Sequence, residues 1–433
     1  MKRFILLLSF LTLLSVSYRL TAEKDRRIGP AVLHRPTPAP DRIILTYAGD
    51  PATTQAVTWR TDTTVGESIA EVAEATDGPQ FSKDTVKVKA SAERLQSDLN
   101  EATYHSAKFT GLKPDTPYCY RVGDGFNWSE WNQFRTASNK AAPLTFLYVG
   151  DAQNYIWDYW SRVIRLGVLT APGARFIVHA GDLINLVDSD AEWGEWHRAA
   201  DWVNRTIPSF PTPGNHEYGK GVLDNHWQPQ FTLPENGLPE LKETNYYVDI
   251  QGVRMVSLNS MKMQQEQIEW LDRTLTGNPN RWTILTFHYP LYSSGKGRDN
   301  RKLREQWQPV IDKHKVDMVL TGHDHNYARS NLLAGASVQA GAAGTVYVVS
   351  VSGPKMGFLN DDKWWHRAAE DLQLFQSIHI EDDQLRYRSY TARGSLYDAF
   401  DLRKQKGRAN KLTNMAPATP EVRRPRDAPA LSR

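Results

Sequence analysis

Leu144-Thr145-Phe146-Leu147-Tyr148-Val149-Gly150-Asp151 decides the architecture of this chain. An apolar run of strand length ends on a glycine and a carboxylate, and the pattern returns in Phe176-Ile177-Val178-His179-Ala180-Gly181-Asp182. A helix-like stretch over 156–169 separates the two runs, so together they begin a β-α-β pattern. Helix-like stretches at 191–204, 264–275 and 301–314 then alternate with strand-like runs at 246–250, 255–258, 282–287 and 316–320. Such alternation predicts an α/β sandwich with its chemistry in the loops at the strand ends. Strand-like runs at 345–351 and 377–391 complete the sheets.

On the N-terminal side the texture changes. From Arg42 to Thr136 short strands lie between turn residues such as Lys113-Pro114-Asp115. Ile43, Leu45 and Tyr47 alternate, Ala56-Val57-Thr58-Trp59 follows, and Tyr118, Tyr120 and Val122 alternate again. A small all-β sandwich is predicted. The run from Leu112 to Tyr118 resembles the fibronectin type III signature, with Trp59 at its buried tryptophan position and Tyr118 at its tyrosine corner. At 433 residues the chain exceeds the size at which one core keeps growing, which also argues for two domains.

Five segments just past apolar runs carry the candidate chemistry. They are Gly150-Asp151, Gly181-Asp182, Gly214-Asn215-His216-Glu217, His288-Tyr289-Pro290 and Gly322-His323-Asp324-His325. A glycine before each aspartate lets the backbone turn sharply and lets an ion approach. His323 and His325 stand two apart, and in extended chain alternate residues share a side. Asp151, Asp182, Asn215, His288, His323 and His325 mix hard oxygen with borderline nitrogen donors, which suits two transition-metal ions. A metal pair is a device for phosphoryl transfer, because it clamps the attacking and leaving oxygens.

This ordered set resembles the calcineurin-like metallophosphoesterase superfamily, and with the N-terminal sandwich it resembles the purple acid phosphatases. The resemblance runs from about residue 42 to about residue 395. It implies a four-layer α/β/β/α catalytic domain at 143–397 behind a purple acid phosphatase N-terminal domain at 38–138. It implies that Asp182 bridges two metals, that Asp151 and His325 serve the first, and that Asn215, His288 and His323 hold the second. His216 would contact the phosphate or help protonate the leaving group. The cofactor implied is a pair of metal ions, Fe with Zn, Mn or Fe, and the reaction is hydrolysis of phosphate monoesters by a metal-bound hydroxide.

One departure stands out. The family's Gly-Asp-x-x-Tyr motif supplies a tyrosinate to iron, and here the segment reads Gly181-Asp182-Leu183-Ile184-Asn185. Gln153 stands where many superfamily members place a histidine. Gln153, Asn185 or water is therefore expected to fill that position, with weaker selectivity for ferric ion. Downstream, 293–299 offers Lys296 and Arg298 as cations for phosphate oxygens, against the plainer reading of a solvated loop.

Composition bounds the rest. Lys and Arg number 52 against 49 Asp and Glu, a net charge of +3, which gives no reason to expect nucleic acid. Lys2 and Arg3, then an apolar run over 4–16 and a small residue at Ala22, read as a signal peptide at 1–22. The run is shorter than the ~20 residues that span a bilayer, so an exported, periplasmic or extracellular chain without stable membrane insertion is expected. Cys119 is the single cysteine, so no internal disulfide forms, which suits a bacterial periplasm or surface. Residues 23–37 read as a linker and 404–433 as a basic disordered tail. No oligomeric state is indicated.

The favoured reading is an acid phosphatase-like metallophosphatase acting on small phosphoesters. Two others stay open: a phosphodiesterase or nucleotide pyrophosphatase using the same metals, and a surface-binding protein whose catalytic domain has decayed, for which Asn185 is the supporting feature.

Overall fold

The computed structural model describes residues 28–335, 344–362 and 364–425. The expected signal segment 1–22 lies outside them. Within the expected linker, the described residues carry a single helical turn at Pro30–Leu33.

The all-β domain comprises β1 (Asp41–Thr46), β2 (Gln55–Thr61), β3 (Ile69–Glu74), β4 (Val86–Lys89), β5 (Ser91–Gln96), β6 (Glu101–Phe109), β7 (Pro117–Gly123) and β8 (Asn132–Arg135). One layer is β4-β3-β7-β8 and the other is β1-β2-β6-β5. Ile43, Leu45, Val57, Trp59, Phe109, Tyr120 and Phe134 pack between them. Tyr118 Oη accepts the Lys113 backbone N–H at 2.8 Å, which ties the strand to the turn before it.

The following domain is built from β9 (Leu144–Val149), β10 (Ala174–Ala180) and β11 (Ser209–Thr212), then a ribbon of β12 (Tyr218–Gly219) and β13 (Val222–Leu223). It continues with β14 (Tyr246–Ile250), β15 (Val253–Ser257), β16 (Trp282–Thr286), β17 (Met318–Thr321), β18 (Tyr327–Leu333) and β19 (Thr345–Val349). It closes with β20 (Arg367–Ala369), β21 (Leu374–Glu381), β22 (Gln384–Thr391), β23 (Leu396–Arg403) and β24 (Lys411–Asn414). Strands β9, β10 and β11 are parallel in the first sheet. In the second, ordered β14-β15-β16-β17-β19-β18-β20, strands β15, β16, β17 and β19 are parallel.

Helices α1 (Ser161–Thr170) and α2 (Asp190–Ala200) cover the first sheet, and α4 (Gln267–Thr276) and α5 (Arg301–Lys313) cover the second. Between α2 and α4 lies the short α3 (Trp202–Thr206). The layers are α/β/β/α, as the resemblance implied. In β9, Leu147 lies beneath Gly167 of α1, whereas the hydroxyl of Tyr148 donates to the Thr321 carbonyl of the second sheet. Alternate side chains thus serve two different layers, so both faces of the strand must be apolar.

Three details differ from the sequence reading. The helix expected over 191–204 is two helices, broken at Asp201, whose φ is +48°. The expected tail is described as far as residue 425: β24 pairs with β23, and Glu421 accepts the Ala368 N–H at 2.7 Å. A free strand edge offers unpaired backbone groups, and the tail takes them. Third, the first sheet does not stop at the domain boundary. β1 pairs in parallel with β11 at Thr46 and Ser209, giving, among the described residues, one sheet of 11 strands. Ile44 of β1 accordingly belongs to the core of the second domain.

Candidate metal centre

All five segments lie at the C-terminal ends of parallel strands: β9, β10 and β11 of one sheet, β16 and β17 of the other. That is where α/β folds place their ligands. Stacking the two sheets brings the loops together. Asp151, Asp182, His323 and His325 have φ of +48°, +52°, +76° and +56°. Non-glycine residues seldom hold that conformation, and it concentrates at working sites.

Two clusters form, and they share one residue. Asp182, His288 and His323 converge in one, and Asp151, Asp182 and His325 in the other. Around His288 Nε2 stand Asp182 Oδ2, Asn215 Oδ1 and His323 Nδ1, each at 3.2 Å. His288 Nδ1 donates to the Ala180 carbonyl at 2.9 Å, which directs Nε2 to the centre. Lone pairs of Asn215, Asp182 and two imidazoles thus meet at one point, an arrangement that calls for a cation. In the other cluster His325 Nε2 lies 3.6 Å from Asp151 Oδ1, and Asp151 accepts the His323 N–H on both oxygens at 2.9 Å. The donor chemistry fits two metal ions.

Electrostatics agree with ligand duty. Burial, then the charges of His288 and Arg298, hold His323 far below the usual imidazole value. Burial, then Lys355, does the same for His325, so both offer lone pairs. Burial also depresses His288, but the Asp182 and Asp151 carboxylates outweigh it and push the group up to about 9. Burial first, against the pull of His288 and with the Asp182 charge, raises Asp151 to about 8. A proton therefore competes for this pocket when no metal holds it.

His216 stands outside both clusters, its side chain 25% exposed and its Nε2 3.9 Å from Asp182 Oδ2. Its Nδ1 donates to the Asn185 carbonyl at 2.5 Å. Asn185 meets the site through its backbone, and its N–H donates to Glu192 at 2.6 Å. Gln153 lies inside: its amide nitrogen is 2.8 Å from Asp182 Oδ2 and 3.0 Å from His325 Nε2. Arg298 is turned to the back of the His323 loop, donating to the His323 carbonyl and lying 3.3 Å from Asp324 Oδ1. Lys296 is exposed.

Two further residues matter. Glu217 is buried and accepts four backbone N–H groups, from Gly214 at 2.6 Å, Asp182 at 2.9 Å, Leu183 at 2.7 Å and Ile184 at 3.2 Å. It straps the Asp182 loop to the Asn215 loop, and its place in Gly-Asn-His-Glu was a signal for it. Lys355, in the loop after β19, puts Nζ 3.1 Å from Gln153 Oε1 and 3.4 Å from His216 Nε2. Nothing in Ser352-Gly353-Pro354-Lys355 announces that role in sequence.

Comparison with known proteins agrees with this geometry. Residues 40–136 match the model of the purple acid phosphatase N-terminal domain, and residues 144–327 match that of the calcineurin-like phosphoesterases. The chain is thus similar to the purple acid phosphatases, with a calcineurin-like phosphoesterase match behind a match to their N-terminal domain. It is 26% identical to an uncharacterised Mycobacterium tuberculosis protein, over 71% of this chain and 66% of that one. It is also 26% identical to Fe(3+)-Zn(2+) purple acid phosphatase 12 of Arabidopsis thaliana, over 55% of this chain and 56% of the relative. The chain thus spans between about half and two-thirds of the length of these curated relatives. Among solved structures, a purple acid phosphatase from yellow lupin seeds superposes with a TM-score of 0.73 at 19% identity, covering 84% of this chain and 74% of that one. The structure named PhoD gives a TM-score of 0.65 at 13% identity, covering 89% and 94% respectively. These two likenesses concern the fold. Among the described residues no helix is long and apolar enough to cross a membrane.

Proposed function

We propose that the protein is a metallophosphatase that hydrolyses phosphate monoesters with two metal ions, outside the cytoplasm. The observation that carries this reading is the sharing of Asp182 by two ligand clusters. One carboxylate common to both sets would keep two ions close enough to act on a single phosphoryl group. Asp151, Asp182 and His325 would hold the first ion, with Gln153 beside it; Asp182, Asn215, His288 and His323 would hold the second. When bound, such a pair lowers the pKa of water and neutralises phosphate oxygens. The protein's own part is orientation: the Ala180 carbonyl aims His288, the His323 N–H steadies Asp151, and Glu217 clamps two loops. His216, beside the clusters and partly exposed, would reach the phosphoryl or leaving oxygen.

The test pairs metal analysis of the purified protein with assays on nitrophenyl phosphate and its bis-ester. About two metals per chain and preference for the monoester are expected. Strong preference for the bis-ester would move the assignment to a phosphodiesterase. Less than one metal per chain, with no hydrolysis after reconstitution, would favour a binding role.

A further inference from the structure

We infer that Lys355 is a substrate-binding residue that takes hold of a phosphoryl oxygen beside His216, an inference that rests on the phosphoester reading above. The loop that carries it is pinned at both ends. The Gly353 N–H donates to the Asp151 carbonyl at 2.9 Å, and the Gly357 N–H donates to the His325 carbonyl at 2.7 Å. A Cβ at Gly353 would stand 2.3 Å from the Asp151 carbonyl oxygen, and one at Gly357 would stand 2.4 Å from that of Asp324. The loop is therefore pressed against two metal-ligand loops, and Lys355 is the middle residue of the span between them.

Its ammonium is aimed by Gln153 Oε1, which accepts at 3.1 Å. The bond from Nδ1 to the Asn185 carbonyl fixes the His216 ring, and its Nε2 lies 3.4 Å from Nζ. An ammonium has three donors, so donors remain for a ligand, and the side chain is half-buried rather than sealed. Of the other cations near the ligands, Arg298 is committed to the His323 carbonyl and Asp324, and Lys296 is exposed. Both neighbours of the Lys355 ammonium stand beside the Asp182 carboxylate: His216 Nε2 is 3.9 Å and the Gln153 amide nitrogen 2.8 Å from its Oδ2. An ammonium there, partly shielded from water, binds a phosphoryl oxygen more strongly than a solvated surface lysine would.

The experiment uses the full metal-loaded chain, with orthophosphate binding followed by calorimetry and turnover of nitrophenyl phosphate measured in parallel. Lys355→Met is expected to weaken orthophosphate binding and raise KM by about ten- to a hundred-fold, the size of one lost charge-assisted hydrogen bond. Metal content is expected to stay unchanged, and Lys355→Arg to recover part of the binding. If methionine is not tolerated, Lys355→Gln gives the same readout. Unchanged phosphate affinity and KM in a fully metal-loaded variant overturn the inference. So does loss of metal, which would mean that Lys355 serves only to hold Gln153. Phosphate binding that depends on Lys355 in a protein that turns over no phosphoester would sustain Lys355 and defeat the hydrolase reading. Normal hydrolysis in Lys355→Met would do the reverse.

Discussion

His288 Nδ1 lies 2.9 Å from the carbonyl oxygen of Ala180, so the end of β10 in one sheet decides which nitrogen of a β16 histidine faces the centre. The bond crosses between the two sheets and couples their stacking to the orientation of a ligand. Asp182, two residues after Ala180, receives that histidine at 3.2 Å.

Removing the shared carboxylate should therefore empty both clusters. Asp182→Asn is expected to lose both metals and to lower turnover by at least about a hundred-fold. His323→Ala should lose metal and activity together. Elemental analysis alongside the phosphatase assay checks this, and retention of two metals by Asp182→Asn would show that the clusters are independent.

His216 belongs to neither cluster, which separates metal binding from rate. His216→Ala should keep its metals and lose about a hundred-fold or more in turnover. A variant with normal rate and full metal content would remove His216 from the reaction.

Asn185 occupies the position of the family's tyrosine, and its carbonyl is committed to His216. Iron-loaded protein is therefore expected to lack the strong visible tyrosinate band. Absorption spectroscopy reads this directly. A purple preparation would mean that another tyrosine, such as Tyr155, reaches the iron.

Asp190 heads α2 and receives two arginines from β1 and β2, Arg42 at 2.6 Å and Arg60 at 3.4 Å, with side-chain exposures of 2%, 4% and 3% in that order. His226 approaches it at 3.4 Å. Burial raises the carboxyl group, but His226, Arg42 and Arg60 hold it well below the usual carboxylate range. Asp190→Asn leaves two buried guanidinium groups short of an anion and should cost about 3–5 kcal/mol. Urea unfolding measures the loss, and a change below about 1 kcal/mol would show that Asp41 alone neutralises Arg60 and that Arg42 finds water.

Three buried histidines set an acid limit. Burial lowers His105 to about 4 and His179 to about 3; burial and the Arg42 charge lower His197 to about 3. Their folded pKa lies below the unfolded value of about 6.5, so the unfolded chain binds the extra protons. Their contribution is fully present above about pH 6.5 and is lost as pH falls to about 4 for His105 and about 3 for His179 and His197, by roughly 1.4 kcal/mol per pH unit for each histidine at most. His179 Nε2 has no hydrogen-bond partner among the described residues, and its ring packs against both Trp160 and Trp196. His179→Leu should flatten the slope of melting temperature between pH 6.5 and 4.5. An unaltered slope would place the acid sensitivity elsewhere, and comparing the variant with the parent cancels titration within the metal centre.

Sequence alone determined the order of β and α runs and marked six candidate donors, because an apolar strand ending in Gly-Asp or Gly-His carries its information within a few neighbouring residues. It also marked the missing tyrosine at Asn185, which is a matter of residue identity. Tertiary structure decided what depends on distant segments meeting. The pairing of β1 with β11 joins residues far apart in the chain, and neither strand's pattern names its neighbour. The pairing of β24 likewise takes a strand edge that the rest of the fold leaves open. Lys355 is the sharpest case. Its loop has no distinguishing composition, and it enters the centre because its two glycines fit against the Asp151 and His325 loops. Those loops stand together only once the two sheets have stacked.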